Sequence, residues 1–415
     1  MRGVPNKEVA EMPESPQPFP GAKGEQRLLF SGARGIGTVR TDGSDCRALA
    51  VQVPGETRWQ CGPQYRDETG RSLMLLFSHG DASIADLVRG AARRRVWVRD
   101  AESGRLNELF TRSRPAPWMG VSAVFDAGRR AIVYAIIDGE QRLFTADLRT
   151  ERCEPLTEPG SGFHYGESLS PDATRLACHV TYGKDASVRS PSAHLPAPYS
   201  INVIDLTTHR RTLIAGQPGH LCFGPVWSPD GRRLAFLDCE SESDPAHFWA
   251  DVCVAESDGS ACRRITSGQS HWFATSHGTA AARGGGSNFV AWVPGGTAGL
   301  VAWTPRLPGS RPDVIYDPER ADHEEFVFAP EHARGGTRLQ LLDPDTAEAR
   351  DLTPPEEGRW DFRVAFARDG RRFAYCRTRP GQSPELWVGE DGGAGGMRVS
   401  RGLDGQGADF PVWLE

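Results

Sequence analysis

The stretch VWSPDGRRLAFLD, residues 226–238, reads as a short apolar strand, a tight Ser-Pro-Asp-Gly turn and a second strand with alternating apolar and polar residues. An Asp-Gly turn between two such strands is a strong signal for a β-hairpin. Closely similar stretches are SLSPDATRLACHV (168–180) and AFARDGRRFAYCR (365–377), and weaker versions occur at 64–77, 124–136 and 291–303. The chain is therefore built from a repeated hairpin.

Two further strands follow each hairpin. Examples of the third strand, which ends in an acidic turn, are INVIDLTTH (201–209) and DVCVAESDG (251–259), and examples of the short fourth strand are RTLIAG (211–216) and CRRIT (262–266). Four antiparallel strands that recur at intervals of roughly 45 to 60 residues are typical of a β-propeller. Six complete units of this kind are visible.

The two ends of the chain supply the parts of a seventh unit. The C-terminal DFPVWLE (409–415) has the pattern of an innermost strand, and the segments between 25 and 56 have the pattern of the other three strands. A blade shared by both termini leaves no open sheet edge. We therefore predict an all-β fold, a single seven-bladed propeller over 25–415, in which 25–56 and 403–415 form the closing blade. Residues 1–24, rich in Pro and Glu, are predicted to be a disordered tail without the apolar core of a signal peptide.

The composition excludes several classes of function. A net charge of −6 and a pI near 6.0 argue against a nucleic-acid-binding protein, which needs a basic face. No run of about 20 apolar residues is present to span a membrane. The nine cysteines are scattered without a CxxC pair, which favours reduced thiols and a cytoplasmic location.

The long insertions point to one face of the predicted ring. Loops leading into the innermost strands and loops between second and third strands emerge on the same side of a propeller. The longest segments of these two types are 78–95, 183–198, 239–249, 268–288 and 304–334. Loops placed by a rigid scaffold commonly carry binding and catalytic residues, so we predict the functional site on this face.

Several chemically useful residues lead into the innermost strands. His164, His220 and His271, with His277, come from three consecutive loops, although each taken alone is more often a structural histidine. The residues predicted to bind substrate are Gln60, Trp118, Trp272, Asn288, Trp360, Asp361 and Asp409. The alternative role of the tryptophans is to plug the channel or pack between blades, and that of the two aspartates is to accept hydrogen bonds from backbone N–H groups at strand entries.

The repeat WSPDGRRLAF (227–236) resembles that of TolB-like propellers. In length, and in having no hydrolase domain with a G-x-S-x-G motif, the chain is similar to the oligogalacturonate lyase group and related propeller polysaccharide lyases. This resemblance implies β-elimination on a uronate-containing sugar, and hence an acidic oligosaccharide as the partner. It also implies a divalent metal (Mn, Zn or Ca) held by histidines and a glutamine, for which His220, His271, His277 and Gln269 are the residues available.

Elimination next to a carboxylate needs a cation, a base and an acid. We assign these catalytic roles to Arg363 as the cation and to the neighbouring pair His164 and Tyr165, with His164 as the base. Two alternatives stay open. One is a non-catalytic TolB-like propeller that binds a protein or peptide, and the other is a glycoside hydrolase or other sugar-modifying enzyme that uses Asp361 with Glu167 or Asp409.

Overall fold

The computed structural model of the protein describes residues 26–32, 35–49, 51–81, 86, 90–181, 199–217, 220–240, 249–271, 288–295, 299–316, 326–393, 395–401 and 407–414. The strands in these ranges form six four-stranded sheets, one five-stranded sheet and one two-stranded hairpin. Paired strands in all of them are antiparallel. No helix in these ranges is long and apolar enough to cross a membrane, and the nine cysteines are all free thiols.

The strands are numbered in chain order. The chain opens with three strands of the closing blade, β1 (Arg27–Gly32), β2 (Gly35–Arg40) and β3 (Arg47–Ala48). Blade 1 contains β4 (Arg58–Arg66), β5 (Ser72–His79), β6 (Arg95–Asp100) and β7 (Leu106–Leu109). Blade 2 contains β8 (Met119–Phe125), β9 (Arg130–Ile137), β10 (Glu140–Asp147) and β11 (Cys153–Pro155). Blade 3 contains β12 (Phe163–Leu169), β13 (Arg175–Thr181), β14 (Ser200–Asp205) and β15 (Arg211–Ala215).

The second half of the chain follows the same scheme with additions. Blade 4 contains β16 (His220–Trp227), β17 (Arg233–Glu240), β18 (Trp249–Glu256) and β19 (Cys262–Arg264), and the two-residue β20 (Ser270–His271) also pairs with β18. Blade 5 contains β21 (Ala291–Trp292), β22 (Val301–Trp303), β25 (Gln340–Leu342) and β26 (Ala349–Asp351), interrupted by the hairpin of β23 (Val314–Tyr316) and β24 (Phe326–Phe328) and by a 3-10 turn, Pro330–His332. Blade 6 contains β27 (Trp360–Phe366), β28 (Arg372–Thr378), β29 (Glu385–Glu390) and β30 (Met397–Arg398), and the last strand is β31 (Asp409–Leu414).

The two ends of the chain close the ring. The strand β31 pairs with β1 in the order β3-β2-β1-β31, so the C-terminal strand is the innermost strand of blade 7. Innermost strands of successive blades, such as β4 and β8 or β12 and β16, lie in contact with each other. The predicted seven-bladed propeller of four-stranded antiparallel blades, closed by both termini, is confirmed.

The turn that identified the repeat forms as its residues require. The Ser228 hydroxyl donates to the Asp230 carboxylate at 2.6 Å and accepts the backbone N–H of Arg233 at 2.9 Å, while Gly231 takes a φ of 68°. Blade 3 repeats the arrangement with Ser170 and Asp172. The polar side chains thus satisfy backbone groups that a tight turn leaves unpaired.

A tryptophan at the end of an innermost strand joins one blade to the one before it. The indole N–H of Trp227 donates to the Ser168 carbonyl at 2.8 Å, and Trp292 and Trp413 make the same bond to Val226 at 3.0 Å and Ala365 at 2.8 Å. Trp227 is buried, in a hydrophobic cluster drawn from blades 3 and 4. The hydrophobic core of the protein therefore lies between blades.

We predict that Trp227→Phe lowers the free energy of unfolding by about 1–3 kcal/mol, because it removes the indole donor and leaves the half-buried Ser168 carbonyl without its partner. Urea unfolding followed by circular dichroism measures this change. The control is Trp59→Phe, since Trp59 is half-buried and makes no hydrogen bond to another blade in the described structure. Equal losses in the two variants would contradict a special role for the bond between blades.

Candidate functional site

Long connections lie on one face of the ring, which we call the top face. The second strand ends and the third strand begins at residues 79 and 95 in blade 1, 181 and 200 in blade 3, 240 and 249 in blade 4, and 303 and 340 in blade 5. On the other side of the ring the corresponding turns are short, such as the turn between β14 and β15. The top-face location of the insertions is as predicted.

His164 and Tyr165 lie inside blade 3 and not at the surface of the mouth. His164 is fully buried, and burial, with the nearby charge of Arg211, lowers its pKa to about 4. The Tyr165 ring packs edge-on against His179 with 3.8 Å between ring centroids, and burial raises the pKa of its phenol well above the usual value. Both side chains are therefore uncharged at neutral pH. Their assignment as catalytic base and acid stays a prediction.

His220 stands at the top of blade 4, at the start of β16. Its side chain is 24% exposed, and Nδ1 lies 2.8 Å from Oδ2 of the buried Asp238. The carboxylate in turn is 3.9 Å from the guanidinium of Arg264, which also approaches Asp251 at 3.3 Å. A carboxylate on one ring nitrogen orients an imidazole and stabilises its protonated form. Such a dyad is suited to general-base chemistry.

His271 lies deeper than the mouth. Its strand β20 pairs with the third strand of blade 4, and its ring is fully buried between Trp249 and Trp360, at centroid distances of 5.1 and 5.3 Å. Burial lowers its pKa to about 3. Gln269, two residues earlier, is exposed. His277 and Trp272 lie outside the described residues.

The ligands implied for a metal do not come together in the described structure. His220 is committed to Asp238, His271 is enclosed by two indoles, and Gln269 is exposed to solvent. Within the described ranges, no three His, Cys, Asp or Glu side chains are grouped so that they could hold one ion. His277, the fourth implied ligand, lies outside these ranges, and the reaction proposed for the protein uses only its own side chains.

Asn288, Arg363 and Asp409 meet where blades 5, 6 and 7 join. The Asn288 side chain donates to the His271 carbonyl at 2.6 Å and accepts the backbone N–H of Arg363 at 2.8 Å. The Arg363 guanidinium lies 3.2 Å from Asp409 and stacks on Phe410 at 3.5 Å from the ring centroid. Arg363 is buried, which lowers its pKa, although Asp409 opposes the shift. The predicted catalytic cation is thus already neutralised by a carboxylate.

Asp361 and Trp360 also have interior positions. Asp361 is fully buried, and its two oxygens accept from Arg377 at 2.6 and 2.9 Å, with Arg359 at 3.5 Å. Trp360 is 1% exposed. Neither side chain reaches solvent. Their role in binding substrate stays a prediction.

Gln60 and Trp118 lie nearer the mouth. Gln60 is an exposed residue of β4, and its side-chain oxygen accepts from Arg94 at 2.5 Å. Trp118 is half-buried just before β8, and its backbone carbonyl accepts the N–H of Ile136 at 3.1 Å. At the mouth, Gln60 and His220 are therefore accessible polar residues, and the buried Arg94 lies directly beside Gln60.

Asp238 and Arg94 were missed from the sequence. Asp238 occupies the position in its repeat held by Val180 in blade 3 and Phe77 in blade 1, so a charge at an otherwise apolar position was an available signal. Arg94 is the middle residue of an Arg-Arg-Arg run, 93–95. Nothing in that run distinguishes the middle residue until its partners are known.

Comparison with known proteins bears on the fold alone. No protein-family model matches the chain, and no curated protein matches its sequence. An oligogalacturonate lyase in complex with manganese superposes with a TM-score of 0.51 at 15% identity, over 83% of this chain and 85% of that one. A puromycin hydrolase gives a TM-score of 0.53 at 15% identity, over 92% of this chain but 53% of the hydrolase. A protein described as TolB from Agrobacterium tumefaciens gives 0.43 at 14% identity, over 80% of this chain and 89% of that one.

The chain shares the propeller fold of these proteins. Their functions differ, and a fold common to lyases, hydrolases and TolB does not select among them. The fold therefore does not specify the activity, which depends on the residues at the mouth.

Glu167 provides a test of the electrostatics inside blade 3. Its half-buried carboxyl accepts from Gln141 at 3.2 Å, and burial raises its pKa to about 7. The folded protein therefore holds a proton that the unfolded chain has lost, and stability falls as the pH rises from about 4.5 to 7.

We predict that Glu167→Gln leaves the free energy of unfolding nearly unchanged at pH 5 and raises it by about 1–3 kcal/mol at pH 8, because an amide cannot ionise. Denaturant unfolding at both pH values measures the difference. Glu158→Gln, an exposed position nearby in sequence, is the control and is expected to change neither value. A variant that is no more stable than the parent at pH 8 would contradict a buried ionisation.

Proposed function

We propose that the protein is a carbohydrate-active lyase that cleaves a uronate-containing oligosaccharide by β-elimination at the top-face mouth, with His220 as the base. The observation that carries the proposal is the dyad of a partly exposed His220 and a buried Asp238, at the start of an innermost strand. The oligogalacturonate lyase with the same fold provides the precedent for such chemistry on a propeller. The free thiols favour a reducing, cytoplasmic location.

In the proposed reaction, Nε2 of His220 removes the proton on the carbon next to the uronate carboxylate. The electron pair forms a carbon–carbon double bond, and the bond to the glycosidic oxygen breaks. The departing oxygen then takes a proton, which the imidazolium can supply, and no water is consumed. Asp238 holds the ring in orientation and stabilises the imidazolium between the two transfers.

The binding-module alternative finds less support at the mouth. A protein or peptide interface is expected to present a contiguous apolar patch. In the described residues, the large exposed hydrophobic side chains are Leu213, Met397 and Phe410, in blades 3, 6 and 7. Leu213 and Met397 lie in outer strands and Phe410 in an inner one, so these three do not form a common surface.

The hydrolase alternative needs two carboxylates that face each other across a substrate. Asp361 is paired with Arg377, Asp409 is paired with Arg363, and Glu167 lies in blade 3 beside Gln141. None of these carboxyls is an exposed member of a pair. The elimination proposal uses the accessible dyad and is preferred for that reason.

We predict that the purified protein converts at least one uronate oligosaccharide into a product with the ultraviolet absorbance of a conjugated unsaturated uronate. His220→Asn is expected to lower kcat by about 100-fold or more with a small effect on KM, because it removes the base and not the binding surface. Asp238→Asn is expected to lower kcat less, by about tenfold or more.

The matched control is His209→Asn. His209 is exposed in the short turn between β14 and β15 on the opposite face, with a φ of 59° that asparagine tolerates. It is expected to keep full activity. A panel of galacturonate, glucuronate, mannuronate and guluronate oligomers that yields no unsaturated product would overturn the proposed function, and full activity in His220→Asn would overturn the assignment of the base.

A further inference from the structure

Three consecutive arginines, 93–95, lead into the third strand of blade 1, which begins at Arg95, and the outer two are paired with acids. Arg93 lies 2.8 Å from Glu108, and Arg95 lies 3.1 Å from Glu56 and also contacts Glu108. These are ordinary ion pairs at the edge of the top face. They neutralise the charges on either side of Arg94.

Arg94 is held differently. It is 7% exposed, and its guanidinium donates to the Gln60 side-chain oxygen at 2.5 Å and to the Tyr134 hydroxyl at 2.8 Å, while it stacks on Phe77 at 4.5 Å from the ring centroid. In the described part of the chain no carboxylate pairs with it. Burying a cation with only neutral partners is costly unless an anion completes the site.

The surroundings of Arg94 are shaped to hold it between blades 1 and 2. Phe77 packs over Gly62 of β4, where an added Cβ would lie 2.7 Å from the ring, and Tyr134 packs over Gly120 of β8, where a Cβ would lie 2.2 Å from the hydroxyl. Glycine at both positions of the innermost strands is what lets the two rings approach. Gln60, on the same innermost strand as Gly62, is exposed. The cation thus has two fixed supports and one side directed toward an accessible residue.

We propose that Arg94, Gln60 and Tyr134 form a carboxylate-binding subsite for an acidic sugar between blades 1 and 2. Once the Gln60 oxygen and the Tyr134 oxygen accept from Arg94, the amide N–H groups of Gln60 and the hydroxyl proton of Tyr134 remain as donors to a ligand. With the planar guanidinium, they present several donors to one carboxylate, the geometry for which arginine is suited.

This subsite deepens the proposed function and rests on it for the nature of the substrate. Blade 1 and blade 4 lie on opposite sides of the seven-membered ring, so Arg94 and His220 are not neighbours. The subsite therefore binds the acidic group of a sugar unit that is remote from the one deprotonated by His220. The substrate class that fits both is an acidic oligosaccharide with charges on more than one unit.

The test measures binding by isothermal titration calorimetry in the His220→Asn background, where turnover is suppressed. The probes are trisaccharides of galacturonate, glucuronate, mannuronate and guluronate, and a neutral galactose trisaccharide. At least one acidic probe is expected to bind, and Arg94→Met is expected to raise its Kd by about ten- to a hundredfold, because charge-assisted hydrogen bonds are lost. The neutral trisaccharide is expected to bind weakly and equally to both proteins.

Gln60→Glu provides the second variant, because it places a carboxylate beside Arg94 without removing any packing. It is expected to weaken binding of the acidic probe as much as Arg94→Met does, with an unchanged or higher Tm. Arg93→Gln, which breaks only an ion pair with Glu108, is the control and is expected to leave Kd within about twofold.

The outcomes separate this inference from the proposed function. Unchanged Kd in folded Arg94→Met and Gln60→Glu overturns the subsite even if the wild-type protein is a lyase. Arg94-dependent binding without any unsaturated product from the wild-type protein keeps the subsite and overturns the lyase. Absence of binding to every acidic probe overturns the subsite as well.

Discussion

The pairing of β31 with β1 is the contact on which the rest of the ring depends. Leu28 lies opposite Trp413 and Leu29 opposite Val412, and the Trp413 indole reaches the Ala365 carbonyl of blade 6. One short strand thus joins the first blade segment to the last complete blade. Closure satisfies two sheet edges that would otherwise stay open. It also makes β31 the innermost strand of blade 7.

Ring closure places loops on a common face, but register within each strand decides which side chains reach the mouth. His164 pairs with Val180, and Cys222 pairs with Asp238, which is the equivalent of Val180 in the repeat. His164 is therefore the counterpart of Cys222 and lies two positions deeper along its strand than His220. Two residues along a strand correspond to about 7 Å. That difference is enough to put one imidazole inside a blade and leave the other partly exposed.

The repeat, its turns and the shared closing blade could be predicted from the sequence because local signals and the global fold agree. The Ser228–Asp230 turn is one such case, because the residues that identify the turn in the sequence are also the ones that make its hydrogen bonds. The position of His271 could not be predicted in this way, because β20 pairs with β18 outside the four-strand repeat. Comparison of the repeats could have singled out Asp238, because a charged residue stands there at an otherwise apolar position. The partners of Arg94 come from three strands of two blades, so no single segment of the sequence predicts them.

Three buried arginines away from Arg94 are each paired with a carboxylate. Arg27 is paired with Asp45, Arg359 with Glu356 and Arg363 with Asp409, so each of these buried cations has a carboxylate close by. An interior ion pair of this kind offsets much of the cost of desolvation, and it leaves little attraction for an external anion.

Arg94 is buried to a similar extent but is supported by an amide, a phenol and a phenyl ring. Its charge is therefore not cancelled by a carboxylate within the described structure, and its electrostatic field favours an anion between blades 1 and 2. Across the ring, the Asp238 carboxylate is directed at His220 and not at the mouth. In the proposed reaction, a cation on one side of the ring and a base on the other give the mouth a fixed polarity. An acidic chain bound by one carboxylate at the proposed subsite of blade 1 then has only one direction in which to extend toward His220 on blade 4.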